Sequence, residues 1–180
     1  ETYERLGSPE GELALAEAVH KKERAESELR IAGEIQLSSL PKPLERTPLF
    51  DIAGQLKPAL EAGGDLYDYR VLDHQRLYFA IGDVCGKGMP AALFMAMTLT
   101  LMRAAMRQQL SPAEILSFVN DNLAENNEKC TFVTLLCGVF DAATGTVTYC
   151  NGGNCPPLVL TPGQAPYYEP KPQEPPVGVF

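Results

Sequence analysis

The stretch that decides the fold is Gly63-Gly64-Asp65-Leu66-Tyr67-Asp68-Tyr69-Arg70-Val71-Leu72, then Asp73-His74-Gln75, then Arg76-Leu77-Tyr78-Phe79-Ala80-Ile81-Gly82-Asp83-Val84. Two runs that alternate like strands flank three polar residues, the signature of an antiparallel hairpin. With Asp73-His74-Gln75 as the loop, Leu72 faces Arg76, Val71 faces Leu77, and Asp65 falls opposite Asp83. A two-residue loop would instead set Asp65 against Gly82. Directly opposed side chains stand roughly 5 Å apart. Like charges that close repel unless a cation lies between them or one takes a proton. Tyr67, Tyr69, Val71, Leu77, Phe79 and Ile81 share the face of the two aspartates. The reading therefore predicts an apolar core face with a paired-carboxylate mouth.

Outward from the hairpin, Glu10 to Ser39 is rich in Ala, Glu, Lys and Leu and contains no proline. Leu15, Ala18, Lys22, Ala25, Leu29, Ala32 and Gln36 recur with three-four spacing, weakened by the two polar members. This predicts a linker helix over residues 1–40, either a parallel coiled coil or an amphipathic helix packed on its own domain. Pro41 and Pro43 end it. Phe50, Ile52 and Leu56 alternate and predict a strand. Gly88-Met89-Pro90-Ala91 opens a helix to about Gln109, apolar nearly all round and expected to be buried. Ser111-Pro112-Ala113-Glu114 starts a second helix with a capping box, to about Asn126. Thr131 to Phe140 and Thr146 to Cys150 read as paired strands around the Asp141–Gly145 turn. Beyond Pro156 lies a proline-rich loop or wandering edge strand. Val177 to Phe180 reads as a strand just starting. The order fits helices layered on antiparallel sheet, an α+β domain over residues 41–180.

A net charge of -8 argues against a nucleic-acid partner and against adhesion to anionic lipid. The five cysteines are odd in number and lack C-x-x-C spacing, so a reducing compartment is the simplest setting. His20 and His74 have no ligand spacing, which disfavours zinc, and no serine sits in an elbow motif. The longest apolar stretch, Pro90 to Met102, is too short to span a bilayer. The chain starts at Glu1 rather than Met, and it is read as a piece of something longer.

Gly82-Asp83-Val84-Cys85-Gly86-Lys87-Gly88 is Gly-rich and leads into a helix but lacks Walker spacing. Asp68 faces away from the carboxylate pair and is read as structural. Asn120 and Asp121 are read as solvated or capping; Asn151-Gly152-Gly153-Asn154 is a turn that could approach a ligand, with a plain turn the favoured reading.

Taken in order, Gly63–Asp68, Ile81-Gly82-Asp83-Val84-Cys85-Gly86-Lys87-Gly88-Met89-Pro90-Ala91-Ala92, Phe132-Val133-Thr134 and Asn151–Pro157 resemble the bacterial metal-dependent serine/threonine phosphatases of the PPM superfamily, in their SpoIIE-like or RsbU-like branch. The resemblance covers about Ala32 to Phe180. It implies an α-β-β-α sandwich of two antiparallel sheets flanked by helices, with the C-terminal part of the domain missing. It implies two divalent cations, Mn²⁺ or Mg²⁺, with Asp65 and Asp83 as catalytic metal ligands and the Val84 backbone carbonyl as a further oxygen. Water activated by the ions would attack a phosphoserine or phosphothreonine in line. The implied partners are a phosphorylated anti-sigma-factor antagonist of STAS type and an upstream sensor acting through the linker helix, which also offers a homodimer contact. The implied location is the cytoplasm. Asn154 stands where the family usually has His, and two further metal-binding aspartates would lie beyond Phe180. The expectation is a phosphoprotein phosphatase as the full-length parent, with this chain itself inactive and holding its ions weakly. The alternative is a catalytically inactive phosphoprotein-binding or dimerisation module.

Overall fold

Four antiparallel strands in the order β1-β2-β3-β4 form the main sheet: β1 (Leu66–Val71), β2 (Arg76–Val84), β3 (Val133–Asp141) and β4 (Thr146–Gly152). The computed structural model describes residues 9–43, 47–58, 62–125, 127–170 and 174–179. Helix α1 (Pro9–Ser39) precedes the sheet; α2 (Met89–Arg107) and α3 (Pro112–Ala124) lie between β2 and β3. A two-residue ribbon, β5 (Leu158–Val159) with β6 (Tyr167–Tyr168), follows β4. It gives the proline-rich tract its only ladder among the described residues. Val177 bridges to Val133 as a single pair, and Phe180 lies outside the described residues.

The hairpin register is the one expected. Leu66 pairs with Gly82 and Val71 with Leu77. The amide of Leu72 donates to the carbonyl of Arg76 at 2.9 Å. Asp73 supplies the turn chemistry, accepting the Gln75 and Arg76 amides, each at 2.9 Å, on Oδ1. At the other end the Val84 amide donates to the Gly64 carbonyl at 3.3 Å, carrying the register past the strand.

Which face is the core differs from the expectation. Leu66, Tyr78, Ala80 and Val84 turn to the helices and join Val133, Leu135 and Cys137 in one buried cluster. Met95, Leu99, Met102 and Ala105 of α2 and Ile115, Val119 and Leu123 of α3 close it from above. Each fully buried large side chain there contributes about 1.5–3 kcal/mol. The face shared by the two aspartates is the outer one. Tyr69 and Leu77 are buried on it, but Val71 and Ile81 are exposed. Residues 47–58 pack on this face without a ladder, so the strand expected at Phe50, Ile52 and Leu56 is not formed. Phe50 instead packs edge-on against Phe140, ring centres 6.3 Å apart, and Gly54 lies against the Tyr67 ring. Between this segment, Tyr67, Phe79, Leu136 and the Asn154–Pro157 turn runs a groove of about 520 Å³.

The helices follow their local signals. Ser111 and Glu114 form the capping box, with the Ser111 amide donating to the Glu114 carboxylate at 2.8 Å. Helix α3 ends at Ala124; Asn126 lies outside the described residues. Helix α2 is not buried all round, since Leu93 is 60% and Met97 52% exposed. It is long and apolar enough to cross a membrane, yet its inner face belongs to the core. Helix α1 divides in two. Residues 12–28 are exposed throughout, whereas Leu29, Ala32, Gly33 and Gln36 turn onto the domain. Three of the seven seam residues, Leu29, Ala32 and Gln36, are therefore spent on the domain itself.

Candidate metal centre

Asp65 and Asp83 emerge side by side at the end of the β1–β2 hairpin remote from its loop. The register that pairs Leu66 with Gly82 makes them opposite neighbours. Their carboxyl groups are close enough for Asp65 to perturb the charge of Asp83. Burial first, then the charge and the hydrogen bond of Asp65, push the Asp83 carboxyl above the usual carboxylate range. Both side chains reach solvent. Two negative groups held this close by the backbone are a hard-oxygen donor pair suited to a divalent cation. Among the described residues no third His, Cys, Asp or Glu joins them in a metal-sized group.

Two glycines make the arrangement possible. A Cβ at Gly64 would stand 2.7 Å from the Val84 carbonyl oxygen and 2.9 Å from the Val84 Cβ. Only glycine allows the Asp65 strand to approach β2 this closely. After Val84 the chain leaves the sheet through Gly86 and Gly88, at φ 96° and 70°. Those left-handed values suit glycine alone and turn the chain into α2.

Asp68 lies on the opposite face of β1 from the pair, as the alternation requires, and is only 5% exposed. Arg103 of α2 grips it with two bonds, Nε to Oδ2 at 2.8 Å and a terminal amine to Oδ1 at 2.9 Å. The same amine donates to the Ser39 carbonyl at the end of α1 at 2.9 Å. Nothing local to Asp68 marks this partner, 35 residues downstream. Gln36 is the second residue that sequence reasoning undervalued. Its side-chain amide donates to the Gly63 carbonyl and accepts the Gly63 amide at 3.1 Å. A polar residue that weakens a coiled-coil seam thus ties α1 to the turn carrying Asp65. Asn120 accepts the Gly178 amide at 2.9 Å, which gives it a definite structural partner. His74 lies in the hairpin loop at the far end of the strands from the pair, and His20 is exposed on α1.

Comparison with known proteins gives a consistent set. A family model described as stage II sporulation protein E (SpoIIE) matches residues 73–180. The matched span contains Asp83 and Val84 but starts after Asp65, so Asp65 is placed by the hairpin register. Phosphoserine phosphatase RsbU of Bacillus subtilis is 28% identical over 143 residues, 79% of this chain and 42% of RsbU. The solved RsbU and RsbW domains of a Mycobacterium tuberculosis protein superpose with a TM-score of 0.60 at 30% identity, over 68% of this chain and 34% of that one. The SiaA-PP2C domain of Pseudomonas aeruginosa gives a TM-score of 0.58 at 18% identity, over 73% of this chain and 55% of that domain, and speaks for the fold alone. The chain thus spans about two fifths of the length of RsbU.

Proposed function

Because the chain belongs to the SpoIIE family, we propose that it carries the Asp65–Asp83 half of the metal centre of a phosphoprotein phosphatase. The observation that carries this reading is the carboxylate pair itself, set at one hairpin end by register and by the Gly64–Val84 approach. Asp65 and Asp83 would hold the cation, Mn²⁺ or Mg²⁺, and the Val84 carbonyl would add a neutral oxygen. A divalent ion supplies a water nucleophile at neutral pH and offsets the charge that builds on the phosphoryl oxygens. The chain's own part is to hold two carboxylates at a fixed separation and to keep Gly64 out of the Val84 carbonyl's way. Asp68 and Arg103 brace the same strand from behind. No side-chain nucleophile is required, in keeping with the remote position of both histidines.

The substrate class is phosphoserine or phosphothreonine on a protein, with an anti-sigma-factor antagonist of STAS type as the specific candidate. The name of the RsbU relative supports the phosphoserine part. An upstream sensor domain acting through residues 1–40 and a parallel dimer of α1 belong to the same proposal. Exposed Leu13, Leu15 and Val19 on the free part of α1 support a helix partner there. A cytoplasmic location agrees with five cysteines that all stand as free thiols.

The test is phosphate release from a phosphoserine protein by the full-length protein containing this chain, with Mn²⁺ and with chelator. Asp65→Asn and Asp83→Asn should each lower turnover by more than about 100-fold, since even a lost ligand-supporting partner costs on the order of 10–100-fold. Wild-type turnover by Asp83→Asn would overturn the metal assignment.

A further inference from the structure

The Asn151–Asn154 turn does more than reverse the chain. A plain turn spends its Asn side chains on neighbouring backbone. Asn154 instead reaches two other strands. Its side-chain nitrogen donates to the Ile81 carbonyl at 3.2 Å and to the Thr134 carbonyl at 3.3 Å. Those two carbonyls bracket the Gly82–Leu135 pair, one residue short of Asp83. Asn154 Oδ1 accepts the Cys155 amide at 2.6 Å, so its amide orientation is fixed at both ends. The turn itself is anchored: Asn151, 2% exposed, accepts the Asn154 amide at 2.8 Å and donates to the Asn154 carbonyl at 3.2 Å. From the neighbouring strand, the Thr134 hydroxyl donates to the backbone carbonyl of Asp83 at 3.3 Å.

We propose that Asn154, supported by Asn151 and Thr134, is a positioning residue that clamps the end of β2 to β3 and so fixes the backbone from which Asp83 presents its carboxylate. The inference rests on reading Asp65 and Asp83 as a cation site. The side-chain bonds of Asn154 go to backbone, at Ile81, Thr134 and Cys155. It works through the peptide joining Ile81 to Gly82, a residue with no side chain to stiffen it. Loss of a residue that orients a ligand one step removed from the ion typically costs about 10–100-fold in metal affinity.

Two measurements on the 180-residue chain separate the clamp from the metal reading. The first is amide hydrogen exchange at Gly82, Asp83 and Val84 without metal. Asn154→Ala and Thr134→Val should speed exchange locally by about 5- to 10-fold, the equilibrium equivalent of one or two lost hydrogen bonds. Core amides of α2 should stay unchanged, and Thr134→Ser should behave as wild type. The second is Mn²⁺ titration read by paramagnetic broadening of the same amide signals, a method suited to millimolar affinities. Asn154→Ala should weaken Mn²⁺ on the order of 10-fold, with Thr134→Ser again close to wild type and Asp83→Asn abolishing site-specific broadening. Unchanged exchange and unchanged affinity in folded Asn154→Ala would overturn the proposal. Local exchange that rises while Mn²⁺ affinity holds would reduce Asn154 to a structural residue and overturn it as well. Broadening that persists in Asp83→Asn would overturn the cation site, while the exchange arm still decides whether the clamp exists. If Asn154→Ala does not fold, the Thr134→Val and Thr134→Ser pair carries both measurements.

Discussion

Replacing Asp83 by Asn should make the metal-free fold more stable while removing its response to metal. Asn has the shape of Asp, so the change removes a charge and little else. Two unit charges about 5 Å apart repel by roughly 0.8 kcal/mol in water and roughly 3 kcal/mol at an effective dielectric of 20. Both side chains reach solvent, so screening favours the lower figure, about 1 kcal/mol. That corresponds to a melting temperature about 2–4 °C higher for a chain of this length. The pH dependence has a defined sign. Burial and the neighbouring Asp65 raise the Asp83 carboxyl in the folded state above its ordinary value of 3.8. The folded chain therefore holds that proton more tightly than the unfolded chain does. Stability is lost as pH rises from 3.8 through the raised folded value. The two proteins should melt alike below that window and diverge above it, the Asn variant on top.

Metal reverses the order. At a Mn²⁺ concentration ten times the dissociation constant, binding adds about 1.4 kcal/mol to the wild type and nothing to a variant that cannot bind. Thermal melts by circular dichroism supply the assay, at pH 3 to 8, in EDTA and in excess Mn²⁺. An Asn variant that melts at or below the wild type throughout in EDTA would refute the idea of a frustrated carboxylate pair. Equal stabilisation of both proteins by Mn²⁺ would refute Asp83 as a ligand.

Gly64→Ala places a Cβ 2.7 Å from the Val84 carbonyl oxygen. It should cost about 1–3 kcal/mol by urea unfolding and abolish Mn²⁺ stabilisation together. Arg103→Ala strands the buried Asp68 carboxylate and should cost about 3–5 kcal/mol; a smaller loss in Asp68→Asn than in Arg103→Ala would show that the orphaned charge is the cause. Tyr78→Phe should be neutral or raise the melting temperature, because the Tyr78 hydroxyl is buried without a hydrogen-bond partner. For the linker, light scattering on the chain with and without residues 1–28 should show a dimer reduced to a monomer, and equal masses would remove the helix-pairing idea.

The register was legible because Asp73 in a polar triplet announces its own turn, and the capping box at Ser111 and Glu114 because its two bonds are local. What a side chain meets across the domain was not. Alternation in the hairpin gives two plausible faces. The outer one, with Tyr67, Tyr69, Phe79 and Ile81, is the more apolar on paper. The true core face carries Asp68, Ala80 and Gly82, and it looks poor until α2 is laid on it. Arg103 then neutralises Asp68, and the small residues admit Leu135 and the helix. The missing strand at Phe50–Leu56 has a similar origin. Its alternation is real, but Pro48 and Pro58 bracket the segment and remove two ladder donors, and residues 47–58 pack on the outer face of the sheet without forming a ladder. The roles of Gln36 and Asn154 were not legible because hydrogen bonds to distant backbone leave no periodic trace.

The same features explain how a repulsive pair survives in a marginally stable chain. A one-residue slip that relieved the Asp65–Asp83 repulsion would turn the slipping strand's side chains to the other face. If β1 slipped, Leu66 would leave the core and Asp68 would lose Arg103; if β2 slipped, Tyr78 and Val84 would leave it. Against roughly 1 kcal/mol of repulsion stands, in the first case, one large side chain at about 1.5–3 kcal/mol with an ion pair whose breaking costs about 3–5 kcal/mol. In the second stand two large side chains at about 1.5–3 kcal/mol each. The helix-facing side of the hairpin thus fixes the geometry of its outer side. Local adjustment is blocked as well: Gly64 is pressed on Val84, Gln36 holds Gly63 from the α1 side, and Asn154 spans the strands beside Gly82. The carboxylates are left with two ways to lower their energy, a proton or a cation. At neutral pH the cation is the one that a divalent-metal enzyme would use.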